Sequence, residues 1–195
     1  IRDEADDSVL NMAGLNKEDD IFAPIIQSTK RRTLWLGANL VTAILAAAAI
    51  GIFEATIEKI VTLAILMPIV ASMGGIAGMQ SLALVIRSQA TNQIGSSNSK
   101  LLILKESAIG VLNGILWSSV VSIAVYLWFD SVFLGVVIAV ALLVNLIIGA
   151  ISGVTLPLIL KKLNIDPAIA GGVILTTITD IVGFISLLGV ATLIM

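Results

Sequence analysis

One carboxylate, Asp180, lies in the stretch TTITDIVG (176–183), inside an apolar run from Ala168 to Met195 that holds no other charged residue. An ionised aspartate in hydrocarbon costs about 2.5–3.5 kcal/mol on insertion scales, so this side chain is expected to face protein, water or an ion rather than lipid. On a helix, Thr176, Thr177 and Gly183 share its face, combining hydroxyl oxygens and bare backbone with a negative charge. A hydrogen-bonded structural aspartate is the plainer reading of such a residue. The reading preferred here is an ion site.

A second polar stretch, MPIVASMGGIAGMQS (67–81), breaks the regularity of another apolar segment. Pro68 removes one helix hydrogen bond, while Gly74, Gly75 and Gly78 permit close backbone approach or local unwinding. Packing through small residues accounts for glycines alone. With Gln80 and Ser81 following and a lone aspartate elsewhere, a pore lining of Gly74, Gly75, Ile76 and Gly78, joined by Thr177, becomes the expectation. Asn39, Asn113 and Asn145 are single polar residues in apolar runs and are read as interhelical hydrogen-bonders. Glu106, beside Lys105 at a helix entrance, is read as interfacial. Asp166, just before Pro167, suits a helix N-cap and could also face a cation.

The elements that position these residues follow from composition. Hydrophobic residues make up 58% of the 195 and charged residues 12%, with a mean hydropathy of +1.09, which indicates a membrane protein. The apolar runs are continuous rather than alternating, so the expected class is all-α and polytopic, not a β-barrel. With neither cysteine nor histidine, soft and borderline metal sites are missing, and oxygen donors for hard cations remain. The same gap, with no acidic pair inside a span, removes the usual catalytic groups, so no enzyme is expected. The net charge of −2 carries little information about partners when most of the surface faces lipid, and no nucleic-acid partner is expected.

Residues 1–32 are expected to form an acidic connector on the cytoplasmic side, with DEADDSVLNMAGL as a short amphipathic helix. A second short helix with Asn16 as its N-cap would carry Phe22, Ile25 and Ile26 on one side. Residues 33–195 form the membrane domain, with five spans at Leu34–Phe53, Ile60–Ile86, Ser107–Trp128, Val132–Leu160 and Ala168–Met195. Glu54, Glu58 and Lys59 fall in a short loop, and Arg87 to Lys100 form a longer one. Placing Lys30, Arg31, Arg32, Arg87, Lys100, Lys105, Lys161 and Lys162 inside leaves only Lys59 outside, so the N-terminus is expected inside and the C-terminus outside. Trp35, Tyr126 and Trp128 sit near interfaces, whereas Trp117 falls in mid-span and is expected to pack against another helix. The chain opens at Ile1 without an initiator methionine and is expected to be a fragment.

PIVASMGGIAGMQS, LKKLNIDPA and TTITDIVG, in that order, resemble the membrane domain of the MgtE family of magnesium channels and transporters. The resemblance covers the chain from about Phe22 onward. It implies a homodimer in the inner cell membrane, a central path between the second and fifth spans, and a magnesium site at Asp180. It further implies oxygens near Thr176 and Gly172, an acidic position at Asp166, and a connector, with Glu4, Asp6 and Asp7, that joins cytosolic regulatory domains absent here. The family commonly has GGN where this chain has Gly74, Gly75 and Ile76, so an amide oxygen is missing from the second span. Mg²⁺ would pass inward in hydrated form, with Mn²⁺, Co²⁺ or Ni²⁺ as further candidates for the same oxygen donors. The alternative is an ion-coupled carrier that uses Asp180 as a proton or sodium site.

Overall fold

The computed structural model describes residues 11, 15, 22, 24–91 and 98–195. These form an all-helical bundle: α1 (Ile25–Gly51), α2 (Glu54–Lys59), α3 (Thr62–Ala90), α4 (Ser99–Phe129), α5 (Val132–Lys162) and α6 (Pro167–Ile194). All but α2 are long and apolar enough to cross a membrane. At 1.5 Å per residue each extends roughly 40 Å or more, beyond the ~30 Å of a hydrocarbon core. The acidic positions Glu4, Asp6 and Asp7, and most of the proposed connector, lie outside the described residues.

Several local expectations are corrected. Ile25 and Ile26 are the first turn of α1, with Pro24 as its N-cap residue, rather than one side of a separate short helix. Lys30 and Arg32 therefore lie inside α1. Glu54, Glu58 and Lys59 belong to the short helix α2 rather than to a loop. At the other end of the second span the helix continues to Ala90, and α4 begins at Ser99, so the connection between them is shorter than the composition suggested. Trp117 is 44% exposed and faces outward.

Turn chemistry sets the tight hairpin between α4 and α5. Asp130 takes a left-handed conformation (φ 48°), which ends α4, and Ser131 caps α5 by accepting from Leu134 N at 3.3 Å. Asn164, also left-handed (φ 58°), ends the turn after α5, and Asp166 then caps α6 through Ala168 N at 2.9 Å. The N-cap role expected for Asp166 is therefore present.

α5 is the central helix and packs on α3, α4 and α6, while α3 also packs on α6. Near one end the core joins Leu66 and Val70 of α3, Ile138 and Leu142 of α5, and Leu187 and Leu188 of α6. Near the other it joins Leu82, Ile86, Ala168 and Leu175. Between them α3 and α5 cross through glycine pairs spaced four apart on both helices. A Cβ on Gly149 would stand 2.6 Å from the Gly74 carbonyl oxygen, and one on Gly153 would meet the Gly78 carbonyl oxygen. Only hydrogen at these positions lets the backbones meet. Asn145, fully buried one turn before Gly149, donates to the Val70 carbonyl at 2.8 Å, the interhelical bond expected of it.

The other two asparagines behave differently. Asn39 donates to the Trp35 carbonyl of its own helix at 3.0 Å, and Asn113 is exposed and has no hydrogen bond among the described residues. Despite Pro68, α3 is helical from Thr62 to Ala90 without unwinding. Gly74 and Gly78 therefore serve close packing.

Candidate cation site

An open groove of about 660 Å³ lies between α3 and α6. Its α3 wall is Ala71, Ser72, Gly75, Ile76, Met79, Gln80 and Ala83, and its α6 wall is Thr176 and Asp180. Residues 72, 76, 79 and 83 recur every three or four positions, so a single stripe of α3 faces the groove. The opposite side of α3, with Gly74, Gly78, Leu82 and Val85, is buried.

The half-buried Asp180 carboxylate accepts no hydrogen bond and meets no basic side chain among the described residues. It opens into the groove with all its lone pairs available. The threonines around it are arranged differently. Thr176 Oγ1 donates to the carbonyls of Gly172 at 3.1 Å and Val173 at 3.0 Å. With its proton engaged on the backbone, that hydroxyl presents only lone pairs to the groove, which suits the waters of a cation. Thr177 Oγ1 donates to Val173 O at 2.7 Å, and the fully buried Thr179 donates back to Leu175 and Thr176.

The structure thus divides the residues singled out from sequence. Asp180, Thr176, Gly75 and Ile76 share the groove. Gly74 and Gly78 instead sit at the crossing with α5, and Thr177 and Gly172 are not among its lining residues. Gly172 stands beside Met79, whose Sδ would be 3.8 Å from a Cβ placed there. Asp166 lies at the start of α6, outside the groove, where Asn11 Nδ2 reaches its second carboxylate oxygen at 3.4 Å. Sequence reasoning missed Ala71, Ser72, Met79 and Ala83, of which the i, i+4, i+7, i+11 spacing from Ser72 would have placed Ser72, Met79 and Ala83 with Ile76. It also misjudged Glu106, which is only 7% exposed and accepts a 2.7 Å hydrogen bond from Ser81 Oγ rather than lying at an interface. No three acidic side chains converge among the described residues, so one chain offers no multidentate cage there.

Five long apolar helices, with a groove that holds an unpaired carboxylate among the described residues, mark the chain as a polytopic membrane protein. Residues 67–190 match the MgtE family model, described as a divalent cation transporter, and the chain belongs to that family. It is a transporter family rather than an enzyme family. Over 97% of its length the chain is 34% identical to the magnesium transporter MgtE of Bacillus subtilis (strain 168). It is 30% identical over its whole length to the magnesium transporter MgtE of Enterococcus faecalis, and 30% identical over 84% of its length to that of Thermus thermophilus. The chain spans 42%, 43% and 36% of the lengths of these three relatives.

Proposed function

We propose that this chain is the membrane part of a magnesium channel or transporter and that the α3–α6 groove is half of its ion path. One observation carries the reading: Asp180 is a half-buried carboxylate inside a membrane-length helix, with no protein partner among the described residues, in a groove large enough for an ion with its water. A second copy of the chain, related by a two-fold axis, closes the groove and supplies a second Asp180. Two carboxylates then offset the charge of one divalent cation. Mg²⁺ gives up water reluctantly, and a single carboxylate per subunit supplies too few direct ligands for its octahedral shell. Asp180 therefore grips the ion through its waters, with the Thr176 hydroxyl and the Gln80 amide accepting from the same waters. Such a site admits the ion and still releases it. Mn²⁺, Co²⁺ and Ni²⁺ satisfy the same donors.

In this reading the ends of the helices that carry Lys30, Arg87, Lys100 and Lys161 are cytoplasmic, the C-terminus is outside, and the membrane is the inner cell membrane. Ions enter at the α2 end and move inward with the membrane potential, each elementary charge gaining about 2.3 kcal/mol per 100 mV. Residues 1–32 connect the pore to cytosolic regulatory domains, for which the greater length of the relatives leaves room. The test is Mg²⁺ uptake into liposomes by the wild-type chain and by Asp180→Asn, which keeps the shape of the side chain and removes its charge. Uptake should be lost in the variant while the protein stays folded; undiminished flux would end the assignment.

A further inference from the structure

A second carboxylate in the membrane domain has no role in the path just described. Glu106, in the second turn of α4, is 7% exposed. One of its oxygens accepts from Ser81 Oγ at 2.7 Å; the carboxylate has no other hydrogen bond and no cationic partner among the described residues. α3 and α4 both pack mainly on α5 and touch each other little, which leaves a cavity of about 130 Å³ between them. Gln80, Ser81, Glu106 and Asn113 line it, and the apolar side chains of Leu84 and Ile109 form its exposed rim. A single water needs only about 10–15 Å³ of such space, so a cation fits with several of its waters.

The chemistry of this cavity is uniform. An ionised carboxylate enclosed by protein without a counter-charge gains from a cation placed beside it. The Ser81 proton is already committed to Glu106, and the amides of Gln80 and Asn113 have no hydrogen-bond partner among the described residues. All the donors are oxygens, the set that a hard divalent cation selects. Gln80 also lines the Asp180 groove, so one side chain borders both spaces. Along α3, Gln80 and Ser81 lie about two turns from Ser72, a separation of roughly 12 Å along the helix axis.

We propose that this cavity is a second divalent-cation site, with Glu106 as its charged ligand and Gln80 as the link to the Asp180 groove. The inference rests on the divalent-cation reading of the chain but not on the role of Asp180. Mn²⁺ is the probe, and its binding to the full-length protein is counted by electron paramagnetic resonance. The variants are Asp180→Asn, Glu106→Gln and the double variant, each compared with wild type. Gln at 106 still accepts from Ser81, so the fold is retained. Glu106→Gln should lose one bound Mn²⁺ per protomer that Asp180→Asn keeps, and excess Mg²⁺ should displace that ion from the wild type. A Glu106→Gln protein with wild-type stoichiometry overturns the proposal. Loss in Glu106→Gln with no change in Asp180→Asn supports this site and sinks the Asp180 assignment alone. If Glu106→Gln fails to fold, the exposed Asn113→Ala decides: Mn²⁺ binding at this site should weaken about tenfold, and unchanged affinity overturns the proposal.

Discussion

Gly149→Ala adds one methyl group where α3 and α5 cross, and its effect can be worked out from contacts. The new Cβ would sit 2.6 Å from the Gly74 carbonyl oxygen, whereas ordinary contact begins at 3.4 Å. Because the obstacle is backbone, no side chain can turn aside, and the helices must part by roughly 0.8 Å. The bond from Asn145 to the Val70 carbonyl, 2.8 Å long and one turn away, then stretches toward about 3.6 Å, which is no longer a hydrogen bond. Overpacking of this kind costs about 1–3 kcal/mol, and losing an interhelical bond adds about 0.6–1.7 kcal/mol. Gly37→Ala is the control: a Cβ there meets nothing within 4 Å, so only the helix preference for alanine, about 0.8–1.0 kcal/mol, is felt. That preference is common to both variants and cancels, so they should differ by about 2–5 kcal/mol in unfolding free energy, measured by SDS titration in mixed micelles with tryptophan fluorescence. Since α3 also carries the wall opposite Asp180, ion uptake by Gly149→Ala should fall with it. Equal stability of the two variants would refute the close-packed crossing.

Other outcomes follow from the same geometry. For Asp180→Asn, a carboxylate about 5 Å from a divalent ion contributes about 2 kcal/mol at the permittivity of water and about 7 at an effective value of 20, so Mg²⁺ uptake should drop at least tenfold; a smaller loss would contradict an ion held by this charge. Asp166→Ala, which removes the α6 cap, should destabilise the protein by about 0.5–2 kcal/mol, whereas Asp166→Asn keeps the cap and should be nearly neutral. Lowered Mg²⁺ uptake in Asp166→Asn, at unchanged stability, would instead make Asp166 part of the ion path. The chain has no cysteine, so Glu58→Cys and Leu163→Cys are single labelling sites. An impermeant maleimide should reach the first from outside the cell and the second only after permeabilisation, and the reverse pattern would invert the orientation.

The sequence alone determined the spans, because continuous apolar runs broken by charge and by turn residues leave a chain in lipid few alternatives to helices. It also singled out Asp180, since one charge in a long apolar run is conspicuous, and the cap at Asp166, since capping depends on neighbours in sequence. Which way α3 turns was beyond it. Gly74, Gly75, Ile76 and Gly78 are close in sequence, yet they divide between the crossing with α5 and the groove beside Asp180, because 100° per residue sends neighbours to different partners. Glu106 was misplaced for the same reason: charge and position near a helix start suggest water, and only the approach of Ser81 from another helix shows that the side chain is enclosed. Composition and local order fix what a residue can do along its own helix; what it meets depends on how the helices rotate against one another, and that is set by packing between segments far apart in the chain.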